Sequence, residues 1–311
     1  MNIVSIVMCT YNGEKNILEQ LDSIRNQTYP ADEVLIYDDC STDNTQSKIT
    51  EYMKQNKLNN WKLIMNDHNK GWKLNFRDAL REAKGDLIFL CDQDDIWETE
   101  KIEKMVSIMN TNKTVELLIS NYEPFYENEA TARISRHLIN NNQDKSTEKI
   151  MFTKKFWHIG APGCTYCLRK EILNDFFKFS NIAVPHDYAL WLIAMYHGSI
   201  YRYNSVTMHF RRSGENATGS KKTERYTKKN RIKEIDDFID MLTYLEEFCK
   251  DDNSNSRKIK IIHKAKSFNI HRAEFIKGKK SEILHLVVNC GYYLSLKSLL
   301  GDIAVSLSCI R

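Results

Sequence analysis

Apolar residues along the chain fall into two alternating spacings. Short runs at Ile3 to Met8, Val34 to Tyr37, Trp61 to Met65 and Leu87 to Cys91 read as buried strands, and the segments between them carry apolar positions at helical spacing. Ile17, Leu18, Leu21 and Ile24 share a helical face in the first spacer, Ile49, Tyr52 and Met53 in the second, and Phe76, Ala79, Leu80 and Ala83 in the third. Ser41, Thr42 and Asp43 supply capping side chains for the second helix. Such alternation predicts an α/β fold on a parallel sheet. A further helix over about Thr99 to Asn110, with Ile102, Met105, Val106 and Met109 on one face, leads to a fifth strand at Val115 to Ser120.

Beyond that point the pattern changes. Glu127 to Lys149 is polar and reads as an insertion or mobile loop over the site. Phe152 to Arg169 read as strand and loop, Asp187 to Tyr196 as a helix, and Ile200 to Phe210 as extended chain. From Arg231 onward the spacing is helical throughout, with Ile235, Phe238, Ile239, Leu242 and Leu245 on one stripe ended by the polar run Asp251 to Ser256. Ile259 to Ile276 and Glu282 to Ser308 are amphipathic, and no internal repeat is visible.

A chain of 311 residues with 42% hydrophobic content buries a sizeable core, so disorder is not expected. No eighteen-residue window lacks charges and polar breaks, and Met1 to Met8 carry no signal-peptide pattern; both predict a cytoplasmic protein without a spanning helix. The eight cysteines are scattered, and Cys164 and Cys167 form a lone Cys-x-x-Cys without a second pair, so reduced core thiols are expected. Net charge is +4, but residues 251–311 hold eleven Lys and Arg against five Asp and Glu, or +6, which leaves −2 for the first 250. A basic tail with apolar helical stretches predicts peripheral contact with the inner face of an anionic cell membrane; a solvated helical face is the plainer alternative. No nucleic-acid partner is expected, and the oligomeric state is not legible.

In an open parallel sheet, ligands bind beyond the carboxyl ends of the strands. The polar clusters fall there: Cys9-Thr10-Tyr11-Asn12-Gly13 after the first strand, Asp38-Asp39 after the second, Asn66 to Gly71 after the third and Asp92-Gln93-Asp94-Asp95 after the fourth. Carboxylates emerging so close together repel unless a divalent cation joins them, and oxygen ligands at this density suit Mg2+ or Mn2+. A capping cluster for the helix at Thr99 is the bland reading. The first turn lacks the glycine spacing of a dinucleotide fold and a Walker lysine, which disfavours NAD and P-loop chemistry. Asp39 is placed to accept from a base N–H and Tyr11 to stack on the ring, whereas Asp38-Asp39 alone would read as a helix-capping pair.

Cys-Thr-Tyr-Asn, then Asp-Asp-x-Ser-Thr-Asp-Asn-Thr, then Asp-Gln-Asp-Asp-Ile-Trp, in that order and spacing, resemble family 2 glycosyltransferases over roughly the first 220 residues. The resemblance implies a GT-A fold, Rossmann-like and mainly parallel, over residues 1–225. Residues 1–120 would form the nucleotide-sugar-binding half, 121–225 the acceptor half, and 226–311 a helical appendage. It places Thr10, Tyr11, Asn12 and Asp39 on the nucleoside, Asn66, Gly71, Asn75 and Gln93 near the donor sugar and diphosphate, and Asp92 and Asp94 in an Asp-x-Asp metal site. Asp187 in Pro185-His186-Asp187 looks like the catalytic base, with His186 where the family usually has Glu. That pair, with Asp-Gln-Asp-Asp-Ile-Trp, is similar to a rhamnosyltransferase-like subgroup. Asp95, Trp97, Gly163, Cys164, His186 and Trp191 would face the acceptor. In the stretch His209 to Asn216, Arg211 and Arg212 would steady the departing diphosphate, because guanidinium forks bind phosphate oxygens in pairs.

The activity so implied is transfer of a sugar, with inversion, to a hydroxyl of a glycan or lipid-linked acceptor in surface-polysaccharide synthesis. The expected donor is dTDP-L-rhamnose, with a UDP-hexose as the alternative. Metal-dependent nucleotidyl or phosphoryl transfer, and a nucleotide-sugar-binding subunit without transfer, are the competing readings.

Overall fold

In the computed structural model the described residues are 2–127, 133–134, 139–179, 184–213 and 227–307. Strands β1 (Val4–Thr10), β2 (Glu33–Asp38), β3 (Trp61–Met65) and β4 (Leu87–Cys91) pair in parallel, with Val7 opposite Leu35 and Leu90. Every residue of β2 and β4 is buried. A strand covered on both faces reads as a continuous apolar run. Helices α1 (Ile17–Arg25), α2 (Thr45–Gln55) and α3 (Trp72–Glu82) supply the crossovers, and α4 (Lys101–Thr111) follows a two-residue strand β5 (Ile96–Trp97).

The second half makes the sheet mixed. β6 (Leu117–Tyr126) and β9 (Ile200–Arg212) pair in parallel, while β8 (Tyr166–Arg169) lies between β4 and β6, antiparallel to both. The strand order is β3-β2-β1-β4-β8-β6-β9-β5, with β7 (Thr147–Lys149) also antiparallel on β9. Since β8 reverses direction twice, β6 and β9 run the same way as β1 to β4, and their carboxyl ends share one edge.

Of the polar stretch expected to lie over the site, residues 128–132 and 135–138 are outside the described residues. Residues 139–149 run along β9 instead: Gln143 Oε1 accepts from Val206 N at 2.9 Å, and Asn140 Nδ2 donates to Asn204 Oδ1 at 2.8 Å. Gly214, Glu215, Asn216 and the expected boundary at 225/226 also lie outside the described residues.

Helix α5 (Ile172–Lys178) precedes α6 (His186–His197), in which every residue from Ala189 to Tyr196 is buried. An all-round apolar helix of this kind belongs to the core, and it fixes Asp187 in its first turn. The C-terminal region packs behind it as α7 (Lys228–Cys249), α8 (Ser256–Lys277), α9 (Ile283–Val288) and α10 (Leu296–Leu307). The amphipathic segment from Glu282 holds two helices, α9 and α10, separated by a tight turn at Cys290–Tyr292. Tyr196 OH donates to Asp252 Oδ2 at 2.5 Å, and Trp157 packs edge-on against Phe238 with centroids 4.8 Å apart, so the helical region is joined to α6. No helix among the described residues is long and apolar enough to cross a membrane. The seven cysteines within them are free thiols, four of them buried.

Candidate active site

The loops at the carboxyl edge are tied to one another before any ligand arrives. Asp38 is buried and accepts from Thr10 Oγ1 at 2.8 Å, Ser41 N at 2.8 Å and Gln46 Nε2 at 2.6 Å, so it serves the scaffold. Asn12 takes a left-handed conformation (φ 48°) and its Oδ1 accepts from Thr42 N at 2.8 Å. Gln93 clasps the backbone of Tyr11 from the fourth loop: Tyr11 N donates to Oε1 at 2.8 Å and Nε2 donates to Tyr11 O at 3.1 Å. Gly13 lies under that clasp, where a Cβ would overlap the Gln93 carboxamide.

Asp39 closes the third loop. Its Oδ1 accepts from Asn66 Nδ2 at 2.9 Å and Lys70 N at 2.8 Å, and its Oδ2 from Gly71 N at 2.8 Å. Gly71 has φ 81°, in the region that favours glycine, and starts α3. Asn66 also donates to Asn75 Oδ1 at 2.8 Å, and Asn75 Nδ2 to Tyr37 O at 2.8 Å, so Asn75 anchors α3 to the end of β2.

These loops enclose a cleft of about 560 Å³. Of the residues expected in the site, Thr10, Tyr11, Asn12, Asp39, Gly71, Asn75, Asp92, Gln93, Asp94, Gly163, His186 and Asp187 line it. Asp187 Oδ1 accepts from Tyr188 N at 2.8 Å. His186 is buried, stacks on Phe76 with ring centroids 3.8 Å apart, and has no hydrogen-bond partner at Nδ1. Burial pushes its pKa down to about 4, against the opposing pull of Asp187, so the ring is neutral near pH 7.

Seven expected site residues do not line the cleft, and the first is Asn66, whose amide is taken up by Asp39 and Asn75. Asp95 is fully buried because its Oδ1 accepts the Arg211 N–H at 3.0 Å, which turns the carboxylate toward β9. Trp97 packs on Phe89 at 6.0 Å. Cys164 is buried in the tight turn Gly163–Thr165, and Trp191 is buried with Nε1 donating to Phe156 O at 2.8 Å. Arg211 is held by acids rather than left for a diphosphate: its guanidinium pairs with Glu19 and, at 3.3 Å, with Glu127, while Nε donates to Asp94 O at 2.6 Å. Arg212 is buried with its guanidinium 5.7 Å from the Phe210 ring centroid.

Other residues at the site carried no sequence expectation of their own. Lys15 and Trp72 line the cleft and Lys101 lies behind it, while Phe210 and Ser213, from the stretch His209 to Asn216, line the cleft where Arg211 and Arg212 do not. Lys101 is fully buried, donates from Nζ to Cys164 O at 2.7 Å and sits 4.0 Å from the Trp97 ring centroid. Its one signal in the sequence is position: Lys101 falls on the same helical face as Met105. Burial lowers its pKa to about 8, against the pull of Cys164, Cys91 and Asp95.

The acids crowd one another. Burial, then Asp94 and Asp187, push Asp92 up to about 7, and burial with Asp92 and Asp94 raises Asp95 well above the carboxylate range. Asp92, Asp95 and Cys164 each offer a ligand atom, all within 4.8 Å of one another, and Asp95 Oδ2 is buried without a hydrogen-bond partner. A hard divalent cation fits the two carboxylates, because it removes their repulsion and satisfies the orphaned oxygen, whereas the Cys164 thiol, its pKa raised by burial, is a poor ligand for it. The grouping differs from the expected Asp92 and Asp94 pair by bringing in Asp95 and Cys164, although Asp94 lines the cleft beside them.

Residues 5–177 match the family model described as glycosyl transferase family 2. Among curated proteins, the chain is 32% identical over 210 residues to the Escherichia coli UDP-Glc:alpha-D-GlcNAc-diphosphoundecaprenol beta-1,3-glucosyltransferase WfgD, covering 66% of this chain and 72% of that one. It is likewise 32% identical over 227 residues to the dTDP-rhamnosyl transferase RfbG of Shigella flexneri, covering 68% and 74%. Among solved structures, Staphylococcus aureus TarS 1-349 in complex with UDP-GlcNAc superposes with a TM-score of 0.62 at 20% identity, over 83% of this chain and 70% of that chain. The Pyrobaculum calidifontis mannosyltransferase PcManGT in complex with GDP-Man and Mn2+ gives 0.56 at 18% identity, over 99% and 81%. At these identities the structural likeness speaks to the fold alone, and the fold is GT-A.

Proposed function

The chain belongs to glycosyl transferase family 2, and from that premise we propose that it moves a hexosyl unit, with inversion, from a nucleoside-diphosphate sugar to a hydroxyl of a lipid-linked or polysaccharide acceptor. The observation that carries this reading is a single cleft lined both by Asp92 and Asp94 after β4 and by Asp187 at the start of α6.

Thr10, Tyr11, Asn12 and Asp39 are assigned to the nucleoside, and Gly71, Asn75 and Gln93 to the neighbourhood of the diphosphate and sugar. Asp92 and Asp94 would hold a Mg2+ or Mn2+ ion, which would neutralise charge on the departing diphosphate. Asp187 would accept the acceptor's hydroxyl proton as that oxygen bonds to the anomeric carbon and the bond to the diphosphate breaks. General-base catalysis of this kind contributes roughly 10² to 10⁴ in rate. His186, neutral and stacked on Phe76, contributes shape to the acceptor wall without adding charge. The unit boundaries at residues 120 and 225 are retained as part of the proposal, as is peripheral membrane association.

Two donors are supported by what the relatives are named for: UDP-glucose, after WfgD, and dTDP-L-rhamnose, after RfbG. The deciding experiment incubates the protein with each donor, with and without Mn2+ or Mg2+, and follows melting temperature and products. A donor that binds only the native state raises the melting temperature by mass action. Release of nucleoside diphosphate supports the proposal. Release of pyrophosphate, or binding without turnover against an acceptor panel that includes a GlcNAc-diphosphate lipid, would overturn it.

A further inference from the structure

The last two helices leave an apolar surface uncovered. On α10, Leu296, Leu300 and Leu307 are 71%, 64% and 67% exposed and share one helical face with the half-buried Ile303. Leu299, Asp302 and Val305 fill the opposite, buried face. On α9, Leu284, Val287 and Val288 lie on one face and are 74%, 52% and 83% exposed, while Leu286 is buried. Six large aliphatic side chains turned outward on two short helices are more than the scattered apolar exposure normal for a protein surface.

A groove of about 340 Å³ opens at the residues that directly follow α9. Lys154, Arg257, Lys260 and Lys264 line it, and no Asp or Glu does so among the described residues. Arg257, Lys260 and Lys264 recur along α8 at helical spacing, and Asn289 and Tyr292 border the groove directly after Val287 and Val288. Lys154 extends over the Tyr292 ring at 5.4 Å. Cations beside an outward apolar stripe are what an anionic bilayer surface takes up, with phosphates on the lysines and aliphatic groups in the acyl boundary. At 12 residues α10 is about 18 Å long, too short to cross a hydrocarbon core of roughly 30 Å, so it would lie in the plane.

We propose that α9, α10 and the Lys154, Arg257, Lys260 and Lys264 groove form a docking surface for an anionic lipid bilayer. A second copy of the chain fits less well, because a twofold contact would set these four cations against themselves. The surface is mechanically continuous with the cleft. Lys155 Nζ donates to Leu294 O at 3.0 Å, and two residues on, the carbonyl of Trp157 accepts from Tyr188 OH on the helix that carries Asp187. Docking there would hold α6 at a fixed attitude to the bilayer. This inference does not depend on the assigned reaction.

Co-sedimentation of the full chain with vesicles tests it, using phosphatidylcholine alone and phosphatidylcholine with phosphatidylglycerol at about 70:30. Binding to the anionic vesicles is expected to be at least roughly tenfold stronger at low salt, and to weaken as salt rises. Lys260→Glu with Lys264→Glu, and separately Val288→Asp with Leu300→Asp, should each reduce it at least roughly tenfold. Equal binding to both vesicle types, wild-type binding by the charge-reversed variant, or a wild-type dimer that the Leu300→Asp change dissociates would each overturn the proposal. Val288→Ser with Leu300→Ser replaces the aspartate pair if that pair melts early. Donor-induced thermal shifts in the same variants separate loss of docking from failure of the functional reading.

Discussion

Gly163 stands so close to Asp187 that a Cβ built on the glycine would fall 2.9 Å from the Asp187 Cβ. Neither side has room to retreat. Gly163 begins a tight turn in which Thr165 Oγ1 donates to Pro162 O at 2.7 Å, and Asp187 rides on a helix buried on all sides. Gly163→Ala should therefore displace the Asp187 carboxylate and lower kcat by roughly tenfold to a hundredfold, while Asp187→Asn should lower it by roughly 10² to 10⁴. Donor-induced thermal shifts should survive in both. Wild-type kcat in the alanine variant would remove the positioning role of Gly163, and wild-type kcat in the asparagine variant would remove Asp187 as base.

The clasp between Gln93 and Tyr11 makes a different prediction. Gly13→Ala drives the Gln93 side chain off, and Gln93→Ala deletes both of its hydrogen bonds to the Tyr11 backbone. At about 1 kcal/mol for each neutral bond, donor affinity should fall roughly tenfold to thirtyfold. Because the clasp orders the loop assigned above to the nucleoside and makes no bond to Asp187, the loss should fall mainly on donor KM, with kcat within about threefold of wild type. Steady-state kinetics at saturating acceptor measures the split; a fall confined to kcat would contradict it.

β1, β2 and β4 were legible because each is enclosed by helices and so reads as a nearly unbroken apolar run, while β3, at the sheet edge with Lys62 and Met65 exposed, was legible from its apolar residues alone. β8 was not, since four residues between two antiparallel neighbours leave no period to count. The acidic motif was legible as chemistry, but not the direction of each side chain. Asp95 turns inward because Arg211, 116 positions away, presents an N–H to it, and no local pattern encodes so distant a partner. The same holds for Arg211, which looked available for phosphate until Glu19 and Glu127 closed on it. Lys101 escaped notice because a lysine at the start of an amphipathic helix ordinarily points to solvent.

The acidic cluster predicts cation-dependent donor binding. With UDP or dTDP as ligand, Mn2+ should add to the thermal shift and EDTA should remove that increment. Asp94→Asn should abolish it, since the carboxylate assigned to the cation is lost. A ligand shift indifferent to both EDTA and Asp94→Asn would show that the cluster acts without a metal.

His186 gives a pH prediction with a definite sign. Its folded pKa of about 4 lies below the ordinary value of 6.5, so between those limits the unfolded chain binds more protons than the folded one. The contribution of His186 to stability then falls by about 3 kcal/mol as pH drops from about 6.5 to about 4, while Asp92, with its raised pKa of about 7, contributes with the opposite sign. His186→Phe keeps a ring against Phe76 and removes the titration. Its melting temperature should decline less than that of wild type across this window; parallel decline in the two proteins would mean that His186 is not the titrating group.

Asp302 joins three parts of the C-terminal region, and its removal should loosen all of them. The carboxylate is fully buried on α10 and accepts from Arg231 Nε of α7 at 2.7 Å, Arg272 Nε of α8 at 2.5 Å and Tyr293 OH at 2.7 Å. Burial pushes its pKa up, but Arg272 and Arg231 outweigh that and hold it below the usual carboxylate range. Asp302→Ala leaves the buried Arg272 without its counter-ion, a change that typically costs about 3–5 kcal/mol. The single variant should unfold at lower denaturant, and proteolysis should strike α10 first. Replacing both charges, as Asp302→Leu with Arg272→Met, should recover much of the loss because no buried charge is left unpaired. A depressed carboxylate stabilises above its unfolded pKa and ceases to do so as pH falls through the folded value. The advantage of wild type over Asp302→Ala should accordingly hold at neutral pH and shrink below about pH 4. An advantage unchanged at low pH would mean that packing, not the ion pairs, joins α10 to its neighbours.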